Sequence, residues 1–317
     1  MSLVSRYLEA SLIERLNALQ LSARRVVEGT TVGQHRSPVK GASVEFRQHR
    51  AYVAGDEPRR LDWRVLARTD RPYVREYDEE TNLRCTMLLD CSGSMGYRGR
   101  HPWFLRTGSG TEARRHVGKE SKFEYSARLV ASLAYLMLGQ TESVGLATFG
   151  ARLETWLPPH AGSAQLARVI DVLERATPAG PSDPPAAMRE LADRLTRLGR
   201  RGLVIIVSDF FVNVAALRTA LARLRHGRHE LIALRVLDDD EVEFPFRRWL
   251  RLRGMEGEGA RLIEPALARQ RYLENFERHA RALHESLRAG GAEFHTFQTG
   301  RPLAEALIGF LRHRAGA

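Results

Sequence analysis

Apolar residues in the second half of the chain follow two alternating patterns. Short runs rich in branched residues, LRCTMLLD, SVGLATFG, GLVIIVSD and HELIALRVL, are typical of buried strands. Between and after them, longer segments such as SKFEYSARLVASLAYLMLGQ and PALARQRYLENFERHARALHESLRAGG repeat apolar residues at helical spacing. Strands that alternate with helices of this length predict an α/β fold with a doubly wound, mainly parallel sheet covered on both faces.

Local signals add detail to this α/β pattern. Ser121 followed by Glu124 predicts a capping box at the start of a long helix. The segment ARLETWLP alternates and directly follows SVGLATFG, so we expect an edge strand paired back on its predecessor. Ligands of such sheets bind at the C-terminal ends of the strands, and Asp90 and Asp209 each fall at such an end.

The first 82 residues differ from the rest of the chain in composition and pattern. MSLVSRYLEASLIERLNALQ carries apolar residues at helical spacing with charges between them, which predicts an amphipathic helix and not a signal peptide. Residues 21–82 are polar and arginine-rich, with short β-like pieces separated by glycines and prolines. We therefore expect residues 1–82 to form a helical and β-rich extension packed on a core domain that spans residues 83–317.

Composition narrows the classes of function. The chain has 317 residues, 43% of them apolar, and a formal net charge of +11. Only three of its 49 basic residues are lysines, so 49 − 3 = 46 are arginines. Such a bias indicates genome composition more than selection for nucleic acid, and no nucleic-acid motif accompanies it. A basic scaffold that binds nucleic acid or acidic lipid remains an alternative, and it rests on net charge alone.

Cysteine spacing and hydropathy indicate the compartment. Cys85 and Cys91 on one extended strand lie roughly 20 Å apart, too far to pair. No apolar run approaches the ~20 residues that span a bilayer. We expect a cytoplasmic protein without a transmembrane segment.

The stretch TMLLDCSGSMGY carries the candidate chemistry. Asp90 ends a strand, and Ser92 and Ser94 follow it in a glycine-containing loop. Serines in such a loop suggest either a nucleophile or metal ligands. A nucleophile elbow needs glycine two residues before the serine, where Ser92 has Asp90. A hydrolase that uses this strand-end cleft therefore stays an alternative, and the expectation is a protein that is not an enzyme.

The metal interpretation predicts further oxygen ligands elsewhere in the chain. Asp209 ends LVIIVSD, and Ser182 lies in the loop TPAGPSDPP beside Asp183, which is the other possible ligand there. Mg²⁺ prefers oxygen ligands in an octahedron, and Mn²⁺ or Ca²⁺ are alternatives. Two carboxylates neutralise such an ion and hydroxyls add no charge. The ion would therefore accept one more Glu or Asp from a protein partner.

These residues carry a resemblance to a known family. Asp90-x-Ser92-x-Ser94, with Asp209 ending a later strand, resembles the metal-ion-dependent adhesion site of von Willebrand factor A domains. The segment from Gly33 onwards resembles one bacterial branch of these, the domain of unknown function numbered fifty-eight. The upstream residues that carry the likeness are His35, Ser37, Glu45, Phe46, Arg50, Tyr52, Gly55, Asp56, Asp62 and Trp63.

The resemblance implies roles for the ligand residues and a partner. It places Asp90, Ser92 and Ser94 in the first ligand loop and Asp209 in the third. Ser182 stands in the second loop, where related domains have threonine. It further implies an adaptor that works beside AAA+ ATPases of the MoxR type.

Two charged segments need an interpretation of their own. The basic insert at residues 97–120 departs from the family pattern, and it suits a mobile loop and a partner-recognition segment equally. The acidic run at residues 238–241 lacks the spacing of a calcium loop, so we expect a solvated turn there.

Overall fold

In the computed structural model, the described residues are 45–53, 61–78, 83–99, 120–199 and 201–316, together with the short pieces 7–8, 13, 106–107 and 110–111. They belong to two compact units. Residues 45–53 and 61–78 form the smaller unit. Residues from 83 onwards form the larger unit, and the pieces 7–8 and 13 near the N-terminus belong to it as well.

The smaller unit is built on a strand pair. Strand β1 (Glu45–Ala51) runs antiparallel to β2 (Tyr73–Asp78), and helix α1 (Trp63–Thr69) precedes β2. Asp62 is buried and its carboxylate accepts from the Val65 backbone N–H at 3.3 Å, which caps α1. Four residues of the upstream resemblance, His35, Ser37, Gly55 and Asp56, lie outside the described residues.

The larger unit contains a six-stranded sheet of order β12-β9-β8-β3-β6-β7. Only β7, one of its edge strands, runs antiparallel to its neighbour. The prediction of a mainly parallel sheet, with an edge strand paired back on its predecessor, is confirmed. The strands of this unit are β3 (Arg84–Asp90), β4 (Arg106–Thr107), β5 (Gly110–Thr111), β6 (Ser143–Phe149), β7 (Leu153–His160), β8 (Leu203–Ser208), β9 (Glu230–Leu237), β10 (Leu250–Arg253), β11 (Ala260–Ile263) and β12 (Ala292–Gln298).

Helices cover the sheet on both faces, because side chains of a strand alternate between the faces. On β3, Met87 and Leu89 pack with α2 (Lys122–Gly139), α3 (Ser163–Arg175) and α8 (Leu303–Gly316). Leu88 packs on the opposite face, with helices α4 (Pro184–Leu198), α5 (Val214–His226) and α7 (Pro265–Ala289). The doubly wound architecture is therefore as predicted, and the capping box of Ser121 and Glu124 is present at the start of α2.

Several elements of the larger unit were not predicted, among them the short antiparallel pair of β4 and β5. Helix α6 (Asp239–Glu243) follows β9, and β10 and β11 form an antiparallel hairpin between α6 and α7. The side chains of this hairpin are largely exposed, Leu262 by 67%. Within the described part of the chain, the helices are too short or too polar to cross a membrane.

Candidate metal centre

The sheet places two acidic strand ends side by side. Strands β3 and β8 are parallel neighbours in which Leu89 pairs with Val207. Strand β3 ends at Asp90 and β8 ends at Ser208, directly before Asp209, so the two aspartates lie at the same edge of the sheet. Asp90 is fully buried. One oxygen of its carboxylate accepts from the Ser92 backbone N–H at 2.9 Å, and the other accepts from the Ser208 hydroxyl at 2.6 Å. The carboxylate is therefore held in one orientation.

The first ligand loop continues from Asp90 towards β8. Ser92 precedes a 3-10 turn (Gly93–Gly96), which brings its hydroxyl oxygen to 3.1 Å from that of Ser94. The Ser94 hydroxyl in turn donates to the Asp209 carboxylate at 2.8 Å. The structure thus brings these four predicted residues into one cluster.

Backbone hydrogen bonds fix the second ligand loop against the first. The Gly93 N–H donates to the Gly180 carbonyl at 2.8 Å, and the Ala179 N–H donates to the Cys91 carbonyl at 2.9 Å. As a result, the Ser182 hydroxyl lies 3.2 Å from the Asp90 carboxylate.

The neighbouring Asp183 has a different role. Its carboxylate accepts from the Ala186 N–H at 2.9 Å and caps α4. Of the two alternatives in this loop, Ser182 is therefore the one whose side chain contacts the cluster.

A buried lysine compensates one carboxylate of the cluster. Lys122 is fully buried, and its ammonium donates to Asp209 and to Glu241, at 2.7 Å each. Burial acts to lower the pKa of Lys122, but attraction to the two carboxylates outweighs it and raises the pKa above its ordinary value. Burial likewise opposes the charge of Asp209, yet Lys122 holds the pKa of that carboxyl below its usual range.

Asp90 has no such compensation from the residues that the structure describes. Burial, followed by the nearby charge of Asp209, raises the pKa of Asp90 to about 7. Among the described residues, no ammonium or guanidinium forms an ion pair with it. Within the described part of the chain, the edge of the sheet therefore holds a buried carboxylate without a counter-charge beside a second carboxylate that has one.

The acidic run after β9 corrects one expectation. Residues 238–241 are not a solvated turn, because Asp238, Asp239 and Asp240 are buried and Glu241 pairs with Lys122. Burial raises the pKa of Glu241, although Lys122 opposes this. The run begins helix α6 with a capping box. Its Glu241 is connected to the cluster through Lys122.

The donor set at this edge suits a hard divalent cation. It consists of two carboxylates and three hydroxyls, all oxygen, from Asp90, Ser92, Ser94, Ser182 and Asp209. In the part of the chain that the structure describes, no group of three or more His, Cys, Asp or Glu side chains is arranged to hold a metal. A centre here would therefore depend on hydroxyl ligands in addition to the two carboxylates. The residues present fit a magnesium-type ion.

Sequence reasoning missed four residues of the site. Ser208 and Lys122 had weak signals, since Ser208 directly precedes Asp209 and Lys122 is one of three lysines among 46 arginines. Glu241 was included in the run read as a turn.

The fourth missed residue is Glu256, at the tip of the β10–β11 hairpin. Its carboxylate accepts from the backbone N–H groups of Ser94 at 3.4 Å and Ser182 at 3.1 Å. An exposed hairpin offers no apolar pattern from which this contact could be inferred.

The chain belongs to the family described as "Protein of unknown function DUF58", whose model matches residues 48–285. Among similar chains are the uncharacterized proteins Mb1516 of Mycobacterium bovis and Rv1480 of Mycobacterium tuberculosis (strain H37Rv). Each is 26% identical over 311 residues, which cover 96% of this chain and 90% of the relative.

Three solved structures resemble the fold at lower sequence identity. An aerotolerance-related membrane protein from Bacteroides fragilis is 14% identical with a TM-score of 0.43, and covers 73% of this chain and 99% of its own. The protein BatB from Bacteroides thetaiotaomicron is 15% identical with a TM-score of 0.41, at 74% and 100% coverage. The VWA domain of SpRpn10 is 11% identical with a TM-score of 0.36, at 71% and 94% coverage.

Proposed function

We propose that this chain is a metal-dependent protein-binding module that acts as an adaptor with a MoxR-type AAA+ ATPase. The observation that carries the metal-binding part is the convergence of two carboxylates and three hydroxyls at one sheet edge, where Asp90 lacks a cationic partner among the described residues. The ATPase part rests on the family resemblance of the sequence.

Five side chains would hold the ion: Asp90, Ser92, Ser94, Ser182 and Asp209. Mg²⁺ is the expected ion, with Mn²⁺ or Ca²⁺ as alternatives, and when bound it supplies an open position for an oxygen ligand. Ser208 orients the Asp90 carboxylate, and Lys122 limits the negative charge of Asp209. The site therefore remains receptive to a carboxylate from an acidic side chain of a protein partner.

The same contacts argue against catalysis by the serines. A serine nucleophile needs a base that takes its proton. Ser94 donates to Asp209, whose lowered pKa makes it a weak base, and no histidine of the described residues is hydrogen-bonded to either serine. Asp90, which is hydrogen-bonded to the Ser92 side chain, would be occupied as a ligand of the ion. We therefore propose a binding function for the cleft in preference to hydrolysis.

The test is a pulldown from an extract of the source cells, in Mg²⁺ and in excess EDTA, with bound proteins identified by mass spectrometry. Wild type, Ser94→Ala and Asp183→Asn serve as baits, and Asp183 is the matched control because it caps a helix beside the site. We expect a partner on wild type and Asp183→Asn only in Mg²⁺, and none on Ser94→Ala. A MoxR-type ATPase among the bound proteins would support the adaptor role, and a partner retained equally in EDTA would contradict metal dependence.

A further inference from the structure

The tip of the β10–β11 hairpin lies directly on the first ligand loop. The backbone carbonyl of Met255 sits so close to Gly93 that a Cβ atom at that position would overlap it. The same Cβ would lie 3.2 Å from the Gly180 carbonyl of the second ligand loop. The absence of a side chain at Gly93 is therefore what allows the hairpin to approach the site.

This approach brings a carboxylate to the two loops that carry the hydroxyl ligands. One oxygen of Glu256 accepts from the N–H of Ser94, and the other accepts from the N–H of Ser182. The carboxylate thus bridges the two loops that carry the hydroxyl ligands. An acidic side chain of a partner protein that approached between these two loops would enter the same space.

The hairpin forms a separate two-stranded sheet with mostly exposed side chains. Strands β10 and β11 pair with each other over four residues and with no strand of the six-stranded sheet. Apart from intermediate burial at its ends and at Gly254 and Glu256, its side chains are exposed. Segments with few buried apolar contacts open at low free-energy cost. The tip can therefore leave the site without unfolding the core.

We propose that Glu256 is a carboxylate ligand that the chain supplies to its own metal centre, in the position that an acidic side chain of a protein partner takes once the hairpin tip is displaced. This inference rests on the proposed function. With Asp90 and Asp209 ionised, a third carboxylate gives three negative charges around a doubly charged ion. The ion then attracts a further carboxylate poorly, so the centre is closed until the hairpin moves.

The test counts the water molecules on bound Mn²⁺. Titration followed by water-proton relaxation gives the affinity for Mn²⁺ and the relaxation enhancement per bound ion, which grows with the number of exchangeable waters. The variants are Glu256→Gln, and Glu264→Gln as a control with the same change of charge just beyond the end of the hairpin. Acetate is the probe for an external carboxylate, with chloride at equal ionic strength as its control.

In Glu256→Gln we expect about one additional exchangeable water per ion, because one of roughly six positions is vacated, and about tenfold weaker binding of Mn²⁺. Acetate should lower the enhancement of Glu256→Gln and leave wild type and Glu264→Gln unchanged. An enhancement per bound ion that is the same in wild type and Glu256→Gln would overturn the role of Glu256 and leave the metal centre intact. Absence of Mn²⁺ binding in wild type would instead overturn the proposed function itself.

Discussion

The ammonium of Lys122 donates to the carboxylate of Asp209 at 2.7 Å, and both side chains are almost entirely removed from solvent. Removing one partner of such a pair leaves a buried charge without compensation, which costs far more than the pair itself contributes. The same ammonium also pairs with Glu241. Lys122 therefore holds two carboxylates at the sheet edge, one of them a candidate metal ligand.

The first prediction is that Lys122→Met lowers the free energy of unfolding by about 3–5 kcal/mol, measured by urea denaturation in EDTA. Arg98→Ala is the control, since its ion pair with Glu124 is exposed and such pairs contribute about 0–1 kcal/mol. Equal stability of the two variants would mean that Lys122 does not compensate the buried carboxylates.

The second prediction concerns pH in the metal-free protein. The pKa of Asp90 in the folded chain is about 7, above its ordinary value of 3.8, so the folded state holds this proton more tightly than the unfolded state. The resulting stabilisation is complete below about pH 4 and is lost as the pH rises towards 7, with a slope of at most about 1.4 kcal/mol per pH unit. Urea denaturation in EDTA across this range should show the loss in wild type.

Asp90→Asn is the matched variant for this pH dependence, because it keeps the shape and removes the titration. Its free energy of unfolding should fall less between pH 4 and 7 than that of wild type. Parallel curves for the two proteins would show that Asp90 does not carry the raised pKa.

The third prediction uses Gly93, where an added methyl group collides with the Met255 carbonyl. Gly93→Ala should push the hairpin tip away, so hydrogen exchange of the amides in residues 250–263 should become at least about tenfold faster. Gly139→Ala, at the end of α2 with open space around the added Cβ, is the control and should leave this exchange unchanged. Protection that persists in Gly93→Ala would mean that the tip is not packed on this loop.

The fourth prediction is the absence of turnover. Ser94 contacts Asp209, whose pKa is lowered, and Asp90 beside Ser92 would be occupied as a ligand of the ion, so generic esters, phosphoesters and nucleotides should not be hydrolysed in Mg²⁺ above the rate without protein. The assay includes Ser92→Ala and Ser94→Ala as controls. Activity in wild type that disappears in either variant would favour the hydrolase alternative.

Much of the sheet could be predicted from the sequence because its strands are buried on both sides. The first five residues of β8, LVIIV, are all apolar and buried, and such a run has few other interpretations. The β10–β11 hairpin has the opposite character. Its strands, LRLR and ARLI, are short and exposed, so they carry no burial pattern that distinguishes them from a loop.

The candidate site likewise contains residues that the sequence predicts and residues that it does not. Asp90, Ser92 and Ser94 are close in sequence, and Asp209 ends a recognisable strand, so local pattern was enough to propose them together. Other contacts join residues that are far apart in the sequence. Lys122 and Asp209 are separated by 87 residues, and Glu256 and Ser94 by 162.

The choice between Ser182 and Asp183 depended on tertiary structure too. The hydrogen bond from the Ala186 N–H to the Asp183 carboxylate shows that Asp183 is the cap of α4, whereas the Ser182 hydroxyl contacts Asp90. A sequence pattern cannot separate two polar neighbours in such a loop.

The most direct test of a divalent metal centre at this edge is isothermal titration of the chelator-treated chain with Mg²⁺ and with Mn²⁺. Wild type should bind one ion per chain, with an affinity on the order of micromolar to millimolar. Asp90→Ala should keep its circular dichroism spectrum and lose the ion, because it removes a ligand and relieves repulsion from Asp209. Asp183→Ala, which removes a carboxylate from the neighbouring helix cap, should bind as wild type does. Binding that is unchanged in Asp90→Ala, or absent in wild type, would contradict the account.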